Sequence, residues 1–207
     1  MPPIQRFVPC CAAEPAQEGV PYGRWAEALR GEFLNACLRI ETDGVTLGDP
    51  GEIVWFPDRT YHGRTYVPAT ARTSEGLELY GYVSFLRGDE GADPTDFVAV
   101  ADFTEETADA NPEWTIDLCD EPIAAWRGEE GKIATMTLVW GIPLVKGGAL
   151  ATAELADHAV DQCEIVAERF SLIAPDDYRG DTLEVAIWSR RGDVLARESL
   201  YEDDGEE

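Results

Sequence analysis

The stretch LELYGYVSFLR, residues 77–87, constrains the fold more than any other part of the chain. Leu77, Leu79, Val83 and Phe85 fall on one side of an extended backbone, while Glu78, Tyr80, Tyr82 and Ser84 fall on the other. That period of two is the mark of a strand with one buried face. The second face is aromatic, so the alternation predicts a sheet with one face in a core and the other half-wet.

The neighbouring sequence extends this pattern. RTYVPATART, the turn SEG and LELYGYVSFLR read as a long hairpin, and VTL, a DPG turn and EIVWF as a shorter one. FVAVADF is almost continuously apolar, which predicts a strand in the middle of a sheet. WTIDLC, IAAWR and KIATMTLVWGIPLV supply further strands. TLEVAIWS, the turn RRGD and VLARESLY close the chain as an alternating C-terminal hairpin.

Two segments carry the three-and-four spacing of a helical face. In 24–40, Trp25, Leu29, Phe33, Ala36, Cys37 and Ile40 share a stripe, and Thr-Asp-Gly at 42–44 ends it. In 151–169 the apolar positions are Leu155, Ala159, Cys163, Val166 and, just beyond, Phe170, with Thr152 or a neighbour as the start. No alternation of strands with helices points to a parallel sheet. The expectation is therefore an α+β domain: a predominantly antiparallel, strongly curved or partly closed sheet with two packed helices, 24–40 and 151–169. The length of 207 residues fits one domain over 21–201, with a proline-rich arm at 1–20 and an acidic tail at 202–207.

Charge bounds the function. Forty-one acidic residues face sixteen basic ones, for a net charge of −25. Such a field repels nucleic-acid phosphates and anionic membranes, whose binding depends on Lys and Arg. Direct nucleic-acid or membrane binding is not expected. Three roles for the acidity stand open: solubility in a salty cytoplasm, steering of a basic protein partner, or imitation of nucleic acid.

Five cysteines at 10, 11, 37, 119 and 163 form no disulfide framework. Cys10-Cys11 lacks a second ligand pair for zinc. No apolar run reaches the length of a membrane span, and the N-terminal stretch lacks the shape of a signal peptide. A cytoplasmic location is the expectation, with no cofactor.

Recognised catalytic patterns are absent: there is no GxSxG, HExxH or GxGxxG, and GEEGK at 128–132 lacks phosphate-loop spacing. His158 with Glu154 and Asp161 would cluster on a helix face, for which a solvated surface is the plainer account. Asp89, Glu90, Asp93 and Asp96 do not match a calcium loop. Glu105, Glu106 and Asp109 look like the exposed start of a short helix.

The densest chemistry lies in WFPDRTYHGRTYVPAT, residues 55–70. Pro57-Asp58 and Gly63 predict a hairpin loop displaying Asp58, Arg59, Tyr61 and His62. Tyr and Arg dominate interface hot spots, and Arg59 with Arg64 makes a rare basic spot for a carboxylate or phosphate. The sequence therefore points first to a non-catalytic interaction protein that binds a basic protein partner, as a nucleic-acid mimic or assembly subunit in special cases. Its contacts would be Asp58, Arg59, Tyr61, His62, Arg64, Tyr80 and Tyr82. The alternative is a small-molecule binder or enzyme with a site in the curved sheet near 57–64. Trp55, Tyr66, Trp114, Trp126, Met136 and Trp140 would line its cavity, unless they simply pack the core, and His62 with Asp58, Tyr61 and Arg59 would be its acid–base set.

Overall fold

A computed structural model describes residues 24–88, 93–127, 133–176 and 182–200. The 1–20 arm, the 202–207 tail, Cys10 and Cys11, Asp89 and Glu90, and the GEEGK turn lie outside those residues. The described chain begins with helix α1 (Arg24–Cys37) and continues through β1 (Pro50–Trp55), β2 (Arg59–Tyr61), β3 (Arg64–Thr73) and β4 (Glu78–Leu86). It proceeds through β5 (Thr95–Thr104), β6 (Ile116–Arg127), β7 (Ile133–Pro143) and β8 (Gly148–Leu155). It ends with β9 (His158–Glu164), β10 (Phe170–Asp176), β11 (Leu183–Ser189) and β12 (Val194–Ser199).

All strand pairs are antiparallel, and they build three open sheets. The first is ordered β1-β3-β4-β5, with β2 also on β3; the second is β10-β7-β6; the third is β12-β11-β8-β9. This corrects the expected α+β architecture. The molecule is mostly antiparallel strand, has one helix among the described residues, and has no single curved or partly closed sheet.

The second helix expected over 151–169 is instead the β8–β9 hairpin and the turn after it. Ala151, Ala153 and Leu155 point inward by strand alternation; on the returning strand Cys163 lies opposite Ala151, and Val160, at the register break, is buried as well. Ala156 and Asp157 form the turn with φ of 52° and 62°. Neither is a glycine or asparagine, the usual residues at such a turn. The two-residue reversal, together with a register break between Ala153 and Glu154, leaves the buried positions at a spacing that imitates a helical stripe.

The layers follow from which side chains meet. Leu29, Phe33 and Cys37 of α1 pack on Val67, Ala69, Leu79, Val83 and Phe85 of the first sheet. Burying a side chain such as Leu29 or Phe33 contributes about 1.5–3 kcal/mol. The helix ends at Cys37, where the following turn tightens to three-residue hydrogen bonds (Arg39 N–H to Ala36 carbonyl, 2.9 Å). On the other face, Tyr66 and Tyr82 meet Met136, Leu138, Trp140 and Ile173 of the second sheet. That sheet turns Val139, Phe170 and Leu172 to the third, against Ala151, Val185 and Ile187. Helix and three sheets thus form a stack, and the second sheet is covered on both sides.

The alternation of 77–87 holds, but its aromatic face is not half-wet throughout. Tyr82 and Ser84 are buried beneath the second sheet, and Tyr80 is half-buried. FVAVADF lies at the edge of its sheet rather than in the middle; α1 covers one of its faces, which accounts for its apolar content. VTL at 45–47 forms no strand, and β1 pairs with β3 instead. Residues 105–110 make turns rather than a short helix. No helix among the described residues is long and apolar enough to cross a membrane.

Candidate functional site

The segment 57–64 is more deeply built in than its composition suggested. Arg59 to Tyr61 is itself a strand, with Arg59 opposite Tyr66 and Tyr61 opposite Arg64. The turn is His62-Gly63, with φ of 50° and 77°, the two positive values that suit a tight hairpin. Asp58, Arg59 and Tyr61 are buried, and of the four residues expected on display only His62 is exposed.

Arg59 has its side chain only 2% exposed, and its Nη2 donates to both carboxylate oxygens of Asp161, at 2.7 and 2.6 Å. Its Nη1 reaches the Gln162 carbonyl at 3.4 Å, while its Nε is buried without a hydrogen-bond partner among the described residues. Asp161 also accepts the Ile173 N–H at 2.8 Å. Burial pushes the Asp161 carboxyl up, against the opposing pull of Arg59 and these hydrogen bonds.

The neighbours are engaged in the same manner. Arg87 pairs with Asp58 and donates to Thr65 Oγ1 at 3.0 Å, and Ser171 Oγ donates to the Pro57 carbonyl at 2.6 Å. Arg64 is held by Ser84 Oγ at 3.1 Å and by Asp96. Arg59 and Arg64 are thus paired cations rather than a basic spot awaiting an anion. The expected acid–base set is dispersed: Arg59 is turned to Asp161, Asp58 to Arg87, and the exposed His62 contacts the Tyr61 ring at 4.3 Å. This region is a junction where β2, β9 and β10, one strand from each sheet, are tied by one guanidinium and one carboxylate.

His158, Glu154 and Asp161 share no helix face. Glu154 is buried against Arg197 at 2.6 Å and Thr152 Oγ1 at 2.8 Å, and Asp161 belongs to Arg59. Among the described residues no group of His, Cys, Asp and Glu is arranged to hold a metal ion. Cys37, Cys119 and Cys163 are free thiols.

Open space and uncompensated charge coincide elsewhere. A cleft of about 160 Å³ opens between the first and second sheets, lined by Glu78, Tyr80, Thr104, Glu106, Trp114, Asp117, Leu118, Cys119 and Asp120. The strands place these groups directly. Glu78 and Tyr80 lie on the face of β4 turned to the second sheet, with Thr104 and Asp102 as their partners on β5. The start of β6 brings Asp117 and Cys119 from the other wall, while Asp120, opposite Val139, borders the cleft from the other face of this edge strand.

Among the described residues Arg72 is the cation bound at this site, with Nε 3.3 Å from Glu78 and Nη2 3.0 Å from Asp109. Its single charge does not balance the carboxylates. Burial, then the charge of Asp117, pushes the Glu78 carboxyl up to about 6 despite Arg72. Asp117, Asp120 and Glu121 are also raised, chiefly by burial, with Asp176 adding at Asp120, Asp120 and Asp102 adding at Glu121, and Arg72 opposing Asp109 at Asp117. The Tyr80 phenol is pushed up to about 12 by burial, Asp102 and Glu121. Each of these shifts means that further negative charge is resisted here.

Of the residues expected from the sequence to bind, Tyr80 alone lines this cleft; Tyr82 is in the core against Tyr66, with ring centroids 5.5 Å apart. Among the proposed cavity residues, Trp114 lines it, whereas Tyr66, Met136 and Trp140 are core and Trp55 packs on Phe33. Asp117, Asp120 and Glu121 went unnoticed in the sequence. Their signal is acidic residues within a strand-like run, WTIDLCDEP, where β propensity is low. No family model, curated protein or solved structure matches the chain.

Proposed function

We propose that this protein is a non-catalytic acidic interaction protein whose cleft between β4, β5 and β6 receives cationic side chains of a basic protein partner. The observation that supports this reading best is the half-buried Glu78–Asp117 carboxylate site, with Arg72 as its one bound cation among the described residues and Tyr80 and Trp114 among its walls. A guanidinium or ammonium group there would meet carboxylates already in place and aromatic faces that attract cations. The net charge of −25 would steer such a partner from a distance. Nucleic-acid mimicry is a special case, in which the partner's basic groove would ordinarily hold phosphates. The setting we propose is the cytoplasm, and free thiols at Cys37, Cys119 and Cys163 support it.

The test is titration with an oligo-arginine peptide at low and high salt, using the wild type and the double variant Glu78→Gln/Asp117→Asn. The substitutions remove charge that burial disfavours, so the fold is expected to persist. The expected result is salt-sensitive binding to the wild type and a loss of about tenfold or more in the variant, since each lost charge-assisted contact is worth roughly 1.5–3 kcal/mol. Equal binding by both proteins would remove the cleft from the account.

A further inference from the structure

The sheet edges of this molecule are not alike. β1 starts at Pro50 and breaks register before Ile53. β6 carries Pro122 and a register break beside it. On β10 the Ile173 N–H is taken by Asp161, and Pro175 sits in the strand. β9 and β12 are seven and six residues long, and the pairing of each sheet end contains a break. Such bulges, prolines and short lengths blunt an edge against adding another strand.

β5 has none of these devices over its main length. Residues 98–104 pair with β4 without a break, contain no proline or basic residue, and include Val98 at 46% exposure. Among the described residues two exposed side chains touch this edge: Arg39 Nη2 lies 3.5 Å from the Ala99 carbonyl, and Asp102 Oδ1 accepts the Phe103 N–H at 2.8 Å. Both are surface side chains that an arriving strand can displace. β5 also borders the acidic cleft, with Asp102 on the face that looks toward Glu121.

We infer that the basic partner binds as an extended segment added antiparallel to the free edge of β5, with alternate side chains entering the acidic cleft. This rests on the binding function proposed above and specifies its mode. Cross-strand neighbours share a face, so residues opposite Thr104, Asp102, Val100 and Val98 point toward the second sheet. The first two positions face carboxylates and the last two face valines. An antiparallel segment meets them in the order Thr104 to Val98, which defines a pattern of basic-x-basic-x-apolar-x-apolar. A second copy of this chain fits poorly, because it would bring another Asp102 and another charge of −25 to the same edge. Recognition of this kind takes affinity from the main chain and specificity from alternate side chains.

The experiment uses the full chain and the synthetic peptide Lys-Thr-Arg-Thr-Val-Thr-Val with capped ends. Two further versions carry backbone N-methyl groups, one at the threonines and one at the other positions. Only one of these sets of N–H groups can face β5. The expected result is binding of the parent, a loss of about tenfold or more for one methylated version, and near-parental binding for the other. Equal binding by all three versions would overturn strand addition while leaving cation capture intact. Failure of both the parent peptide and oligo-arginine would remove the underlying reading as well. Hydrogen exchange on the protein alone is expected to be fast at alternate amides of residues 98–104; protection of every amide there would show the edge already paired and overturn the inference.

Discussion

Arg59 Nη2 donates to both oxygens of Asp161, at 2.7 and 2.6 Å, joining β2 of the first sheet to β9 of the third. Asp161 in turn accepts the N–H of Ile173 on β10, the edge of the second sheet. One ion pair therefore links residues of all three sheets in the stack. Its desolvation is costly, so its role is to fix how the sheets sit together more than to add net stability.

Breaking this pair on one side is expected to destabilise the protein strongly. Arg59→Met leaves the Asp161 carboxylate buried and unpaired, and should cost about 3–5 kcal/mol in urea unfolding. Arg59→Met/Asp161→Leu should recover much of that loss. A single variant within about 1 kcal/mol of wild type would contradict the assignment of this pair as the junction.

Glu78 should leave a mark on the pH dependence of stability. Its carboxyl moves from 4.5 to about 6 on folding, so the folded protein holds that proton more tightly than the unfolded chain. The resulting stabilisation is full below about 4.5 and is lost as the pH rises through 6. Glu78→Gln is expected to match the wild type in melting temperature near the acid end of this window and to exceed it at neutral pH. A constant difference across the window would mean that Glu78 does not titrate as its surroundings demand.

Cation binding reverses that shift. A guanidinium beside Glu78 favours its charged form, so binding of oligo-arginine near pH 6 should release protons, and affinity should rise between pH 5 and 7. Calorimetry in buffers of different ionisation enthalpy measures the release directly. No net proton release near pH 6 would place the peptide away from Glu78.

Gly81 sets how closely β5 approaches β4. Its φ is 154°, and a Cβ there would stand 2.1 Å from the Val100 carbonyl oxygen. Gly81→Ala is expected to destabilise the domain by about 1–3 kcal/mol and to speed amide exchange along β5 first. Unaltered exchange in β5 would contradict this packing.

Single elements were legible in the sequence where strands alternate cleanly or a stripe is long, whereas the α+β architecture built from them was wrong. The 64–86 hairpin, the 183–199 hairpin and α1 all follow from local pattern. The stacking was not legible, because Tyr66, Tyr80 and Tyr82 carry polar tips that read as a wet face although the second sheet covers them. The 151–169 error has a sharper cause: a turn made by Ala156 and Asp157 gives no glycine or asparagine signal, and two strands then mimic one helix. At the site, Tyr80 and Trp114 were named for their chemistry, but the acidic residues were not. With 41 carboxylates in the chain, only the meeting of β4, β5 and β6 distinguishes Glu78 and Asp117 from the rest.

The most direct measurement is an amide NMR titration of the full chain with oligo-arginine peptide at low salt. Saturable shifts are expected, concentrated at Glu78, Tyr80, Asp102 and 117–121, reversed by added salt and absent in Glu78→Gln/Asp117→Asn. Shifts spread evenly over the acidic surface, or centred on another face and unchanged in the double variant, would contradict that expectation.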